Sequence, residues 1–155
     1  MSGGDDISAD ERALIFSFFN EIGIIQQLSS TMLNRRLPDG LHVSHFGVLN
    51  HLSRRPNGET PLQLASAFQV TKGTMTHTVN VLHERGLIVL RPHRTDRRSK
   101  VVTITRLGVD FVHQAIASLG PSMARLSTMI DTERLAEILP ELETIRILLD
   151  DNRDI

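Results

Sequence analysis

The first third of the chain crowds apolar residues onto several sides of one expected helix. Ser8-Ala9-Asp10-Glu11 forms a capping box, in which a Ser hydroxyl and a Glu three residues later satisfy each other's orphan amides. The helix it starts is expected to run to about Arg36, with Leu14, Ile15, Phe16, Phe18, Phe19, Ile22, Ile24, Ile25, Leu28, Met32 and Leu33 along it. These cover more than one stripe, so the helix needs burial on more than one face. "LPDGL" (37–41) then breaks the chain with Pro and Gly. Ser44 is the expected cap of a second helix, carrying Phe46, Val48, Leu49 and Leu52, and "RRPNG" (54–58) ends it. Thr60-Pro61-Leu62-Gln63 combines a cap, a Pro at the first helical position and a capping-box Gln, which predicts a short helix to about Phe68. Thr71 caps a fourth helix to about Arg85. In it Met75, Val79 and Leu82 make one buried stripe, while Lys72, Thr74, Thr76, His77 and Asn80 lie off it or on its border.

The period then changes. Gly86 stops the fourth helix, and "LIVLR" (87–91) and "KVVTIT" (100–105) read as two strands of a hairpin with a long tip. Thr105 caps a fifth helix with Leu107, Val109, Phe111, Val112, Ile116 and Leu119, and Gly120-Pro121 stands where it would break or kink. In the tail, Leu135, Ile138, Leu142, Ile145 and Leu149 follow spacings of 3, 4, 3 and 4, the seam of helices that pack at a shallow angle. Pro140 sits inside this seam and is expected to kink it. The fold class is therefore mainly α with a small β-hairpin.

Composition narrows the picture. The 155 residues suit one domain, or one domain with an oligomerising extension, and six Phe with no Trp or Tyr leave the core to aliphatic side chains. The absence of Cys rules out disulfides, thiolate zinc sites and thiol redox sensing in this chain. No apolar run approaches the roughly 18–20 residues needed to span a bilayer. "MSGGDDISADER" is acidic, unlike a secretory signal, so residues 1–9 are expected to be a flexible tail and the protein cytoplasmic.

Charge is unevenly distributed. The whole chain has a formal net charge of -1, yet Thr71–Arg106 carries +6 and the remainder -7. A basic block in an acidic body is the footprint of a polyanion-binding surface. It falls on a helix-turn-helix followed by a hairpin wing. In that arrangement the second helix enters the major groove by its N-terminal end, where amides and small polar side chains meet phosphate. Thr71, Lys72, Thr74, Thr76 and His77 suit that role. The wing cations Arg94, Arg97, Arg98 and Lys100 can follow the backbone or enter the minor groove, where negative potential is concentrated.

Residues 62–108 resemble the winged helix-turn-helix core of the MarR family of bacterial transcriptional regulators. The resemblance rests on Leu82-His83-Glu84-Arg85-Gly86-Leu87-Ile88 at the end of the recognition helix. It rests also on Asp96-Arg97-Arg98-Ser99 in the wing and on the return into Thr105-Arg106-Leu107-Gly108. It implies a homodimer that binds a pseudo-palindromic double-stranded operator, often as a repressor, commonly released by a small ligand. Residues 10–36 and 106–151 would form the dimerisation region and 37–105 the DNA-binding lobe. Arg98 matches the family's minor-groove Arg, Asp96 the acid that steadies the wing, and Arg97 would touch phosphate or solvent. The chain departs from the family at Gln69, where the turn between the two helices usually has Gly. A non-Gly residue in the left-handed region costs about 1–2 kcal/mol.

An effector pocket between the dimerising helices and the lobe would be lined by Ile24, Leu28, His42 and Phe46. The competing reading makes these plain core residues. His42, His45 and His51, spaced three and six apart, together with His113, raise a metal-responsive alternative. The spacing matches no recognised zinc signature, so no metal and no cofactor are expected. Phosphate loops, nucleophile elbows and paired carboxylates with an evident cleft are lacking, which argues against an enzyme. A winged helix used for protein–protein contact is the remaining alternative. It predicts a wing without concentrated Arg.

Overall fold

A computed structural model describes residues 7–38, 40–93 and 99–153. The element order is α1 (Ala9–Asn34), α2 (Val43–Leu52), α3 (Pro61–Ala67), α4 (Lys72–Glu84), β1 (Ile88–Pro92), β2 (Lys100–Ile104), α5 (Arg106–Ser118), α6 (Gly120–Ser127) and α7 (Thr132–Asp151). The chain divides into two compact units, 1–117 and 118–155.

In the first unit, α1 opens with the expected capping box. The Glu11 amide donates to Ser8 Oγ at 3.1 Å and the Ser8 amide to Glu11 Oε2 at 2.9 Å. The helix ends at Asn34, and among the described residues it buries only Leu33. The start of α2 differs from expectation. Its cap is His42, in extended backbone, and not Ser44. Two side chains account for the shift: the Val43 amide donates to Asn34 Oδ1 of α1 at 2.7 Å, and the His42 amide donates to Nδ1 of His45 in the first turn of α2 at 3.0 Å. The end of α1 thus helps to cap the start of α2.

The core of this unit joins Val48, Leu49 and Leu52 of α2 to Leu64 and Ala65 of α3 and to Met75, Val79 and Leu82 of α4. Leu87, Ile88 and Val102 of the hairpin region and Val112 of α5 complete it. Each fully buried Leu contributes about 1.5–3 kcal/mol by leaving water. The hairpin is antiparallel, with Ile88 opposite Ile104 and Pro92 opposite Lys100. A bridge between Glu59 and Val102 extends it by one residue. Gly58 precedes that bridge at φ +69, and a Cβ there would lie 2.4 Å from the Val102 carbonyl oxygen. Only glycine fits both constraints.

In the second unit, α6 has no counterpart among the expected elements. Pro121 stands in its first turn, a position Pro tolerates because no amide partner is lost there. Asp131 caps α7 by accepting from the Glu133 and Arg134 amides at 3.0 and 3.2 Å. The helix runs through Pro140 without ending. Neither α6 nor α7 has a buried residue among those described.

Candidate nucleic-acid interface

Three features aim α4 outward. The stripe Met75, Thr78, Val79 and Leu82 is buried, which fixes the rotation of the helix about its axis. Thr71, Lys72, Thr74, Thr76, His77 and Asn80 are left exposed. Thr71 then caps the N-terminus by accepting from the Thr74 amide at 3.1 Å, and the two Thr hydroxyls pair at 2.8 Å. The pair uses one of the two hydroxyl hydrogens, so one O–H donor and the remaining lone pairs are offered outward. Thr76 Oγ1 donates to the Lys72 carbonyl at 2.8 Å, so it too faces out as an acceptor. The cation Lys72 and the unpaired amides of the first turn are further donors suited to an anion at this end.

The turn from α3 to α4 places Gln69 at φ +52. The expected strain is present and the left-handed geometry is kept. The Gln69 side chain folds back so that Nε2 donates to the Ser66 carbonyl at 3.0 Å.

On the wing, Arg91 and Lys100 are exposed near the far end of the hairpin. The His93 amide donates to the Ser99 carbonyl at 3.0 Å. Arg94, Asp96, Arg97 and Arg98 lie outside the described residues. At the base of the hairpin, Glu59 holds two side chains: His51 Nε2 lies 2.9 Å from its Oε2 and the Arg55 guanidinium Nε 3.0 Å from its Oε1. This link between α2 and the hairpin depends on residues that sequence spacing does not bring together.

The four residues expected to line an effector pocket occupy different settings. Ile24 and Leu28 are exposed on α1, His42 is exposed at the start of α2, and Phe46 packs half-buried against the core. A cleft of about 330 Å³ lies elsewhere in the first unit, lined by Pro38, Leu41, Arg85, Leu87, Leu107, Asp110, Phe111 and Gln114. Its wall is mainly aliphatic and aromatic, with Arg85 and Gln114 as polar groups, while Asp110 is paired to Arg106 at 3.0 Å. Sequence reasoning missed this cleft because it forms where the end of α4, the start of α5 and the loop before α2 converge. Among the described residues, no three His, Asp or Glu side chains gather as metal ligands. No helix among them is long and apolar enough to cross a membrane.

Fold and site together define a winged helix-turn-helix protein. Residues 39–99 match the model of the MarR family, so this segment carries that family's pattern. Solved structures of MarR-type regulators share the fold. BldR from Sulfolobus solfataricus is 25% identical with a TM-score of 0.69, over 89% of this chain and 99% of that one. A mutant MarR from E. coli complexed with operator DNA is 22% identical with a TM-score of 0.69, over 84% and 94%. CouR from Rhodococcus jostii RHA1, bound to p-coumaroyl-CoA, is 23% identical with a TM-score of 0.65, over 80% and 87%. The MarR family consists of transcription regulators, not enzymes.

Proposed function

We propose that this chain is a sequence-specific double-stranded DNA-binding transcriptional regulator, a repressor that acts as a homodimer on a pseudo-palindromic operator in the cytoplasm. The observation that carries this reading is the polar outer face of α4, fixed by its buried stripe, beside a hairpin with exposed cations at its far end. Lys72, Thr76 and His77 would meet the major groove, with Thr71 and Thr74 shaping the helix end that receives phosphate. Lys100, Arg94 and Arg97 would follow the backbone. Arg98, steadied by Asp96, would enter the minor groove. Residues 37–105 would be the DNA-binding lobe, and 10–36 with 106–151 the dimerisation region. Two recognition helices would then sit roughly one helical turn apart, about 34–36 Å.

The complexed MarR mutant supports the DNA reading, because that protein binds operator DNA with the same fold. The structure of CouR with p-coumaroyl-CoA supports release by a small ligand. Such a ligand acts only by binding two states of the dimer with different affinity. Ile24, Leu28, His42 and Phe46 are the proposed lining.

Selection of bound sequences from random duplex DNA tests the proposal, and enrichment of a palindrome is the expected result. On the enriched site, Arg98→Ala should cost about 1–3 kcal/mol of binding free energy with the dimer intact. Arg97→Ala should mainly reduce the salt dependence, since it would remove one phosphate contact and its released counterion. Failure to enrich any sequence, together with salt-insensitive binding, would favour the protein-contact alternative.

A further inference from the structure

His45 is buried at the third position of α2, with 6% of its surface exposed. Its Nδ1 accepts from the His42 backbone amide at 3.0 Å. An acceptor nitrogen carries no proton, so the neutral ring holds its hydrogen on Nε2. That Nε2 is buried and has no hydrogen-bond partner among the described residues. The ring of His42 lies 5.8 Å away, tilted by 32°.

We infer that His45 is a pH-sensitive cap on α2, which holds the helix start closed while neutral and opens it when protonated. Charging the ring requires a proton on Nδ1, and that proton abolishes the bond from the His42 amide. The resulting cation would lie in the first turn of a helix, where the dipole disfavours positive charge. It would also be buried with no carboxylate facing it among the described residues. The charged or titratable groups that do act on it are His42 at the start of α2 and His77 and Arg85 on and just after α4, all cationic or able to become so. Burial, first, and then these neighbours hold its pKa below the ordinary histidine value.

The sign follows from linkage. The unfolded chain takes up the proton near the ordinary value of about 6.5, before the folded one does. The stabilising contribution of neutral His45 is therefore complete above that value and is lost as pH falls toward the lower folded pKa. The neighbouring Val43 amide, held by Asn34, ties the same helix start to α1. Acid would thus loosen the joint between α1 and the helix-turn-helix.

The test uses the full chain. NMR titration of the native protein should show His45 titrating below the ordinary histidine range, with the His42 amide losing exchange protection in the same window. His45→Gln keeps an acceptor at this capping-box position but cannot titrate. Between pH 7.5 and 5.5 the wild type should lose more Tm than this variant, by up to roughly 3–5 °C. A His45 that titrates at or above the ordinary range, or a His42 amide unaffected by its titration, overturns the inference, as does an equal pH slope in the two proteins. Should His45→Gln fail to fold, the titration of the native protein decides alone.

Discussion

At the scale of single residues, Gln69 sets two energies against each other. Its φ of +52 costs about 1–2 kcal/mol for a side chain with a Cβ. The bond from its own Nε2 to the Ser66 carbonyl returns part of that, about 0.5–1.5 kcal/mol for a typical hydrogen bond. Gly would relieve the strain, yet it forfeits that bond and adds about 0.5–1 kcal/mol of unfolded-state entropy. Gln69→Gly should therefore change stability by less than about 1 kcal/mol. Gln69→Val, β-branched and without the bond, should lose about 1–3 kcal/mol. Urea unfolding of both variants checks this, and a Val variant as stable as the wild type would refute the strain. The strained position was legible through the family resemblance, which implies Gly in that turn; whether the turn would be reshaped or the strain kept was settled by the left-handed Gln69. The compensating bond was not legible, since it depends on how a flexible side chain folds back. His42 as the cap of α2 was hidden for a related reason: its claim over Ser44 rests on Asn34, nine residues before Val43.

Among the elements, three hydrogen bonds converge where the end of α4 meets the start of α5. Thr105 Oγ1 donates to the Gly86 carbonyl at 2.8 Å and accepts from the Gly108 amide at 3.0 Å, while the Thr105 amide donates to the Leu87 carbonyl at 3.0 Å. Gly108 lets the helix come this close, since a Cβ there would stand 2.2 Å from the Leu87 carbonyl oxygen. Gly108→Ala must push α5 away and should destabilise by about 2 kcal/mol, within the range for overpacked sites. Thermal unfolding measures it, and an unchanged Tm would show that the two elements are not clamped. Thr105 as a cap and the two strands of the hairpin were legible from local pattern, and the structure supplies their register. The single bridge at Glu59 and the contacts of its carboxylate with His51 and Arg55 were not legible, because no periodicity marks one paired residue. The exposed polar face of α4 was legible from the 75, 79, 82 stripe, because a buried stripe determines the opposite face.

At the scale of the whole molecule, apolar surface remains uncovered. On α1, Leu14 is 71% and Phe16 73% exposed, and on α7 Leu148 is 59% exposed. Monomeric proteins rarely leave contiguous apolar surface of this kind open to water. The long apolar helix near the N-terminus and the seam along the tail each call for a packing partner. A second copy is the proposed partner, and the energetic consequence is specific. Leu14→Glu and Leu148→Glu alter side chains that are open in the single chain, so the folded core should tolerate each within about 0.5 kcal/mol. In a dimer either carboxylate would be buried unpaired, which costs several kcal/mol and drives dissociation. Sedimentation should therefore find the wild type dimeric and both variants monomeric, with far-UV circular dichroism unchanged. Binding to the selected palindrome should weaken with dissociation, because a monomer occupies only one half-site. A variant that remains dimeric with full affinity would remove its helix from the interface and require another explanation for its exposed apolar face.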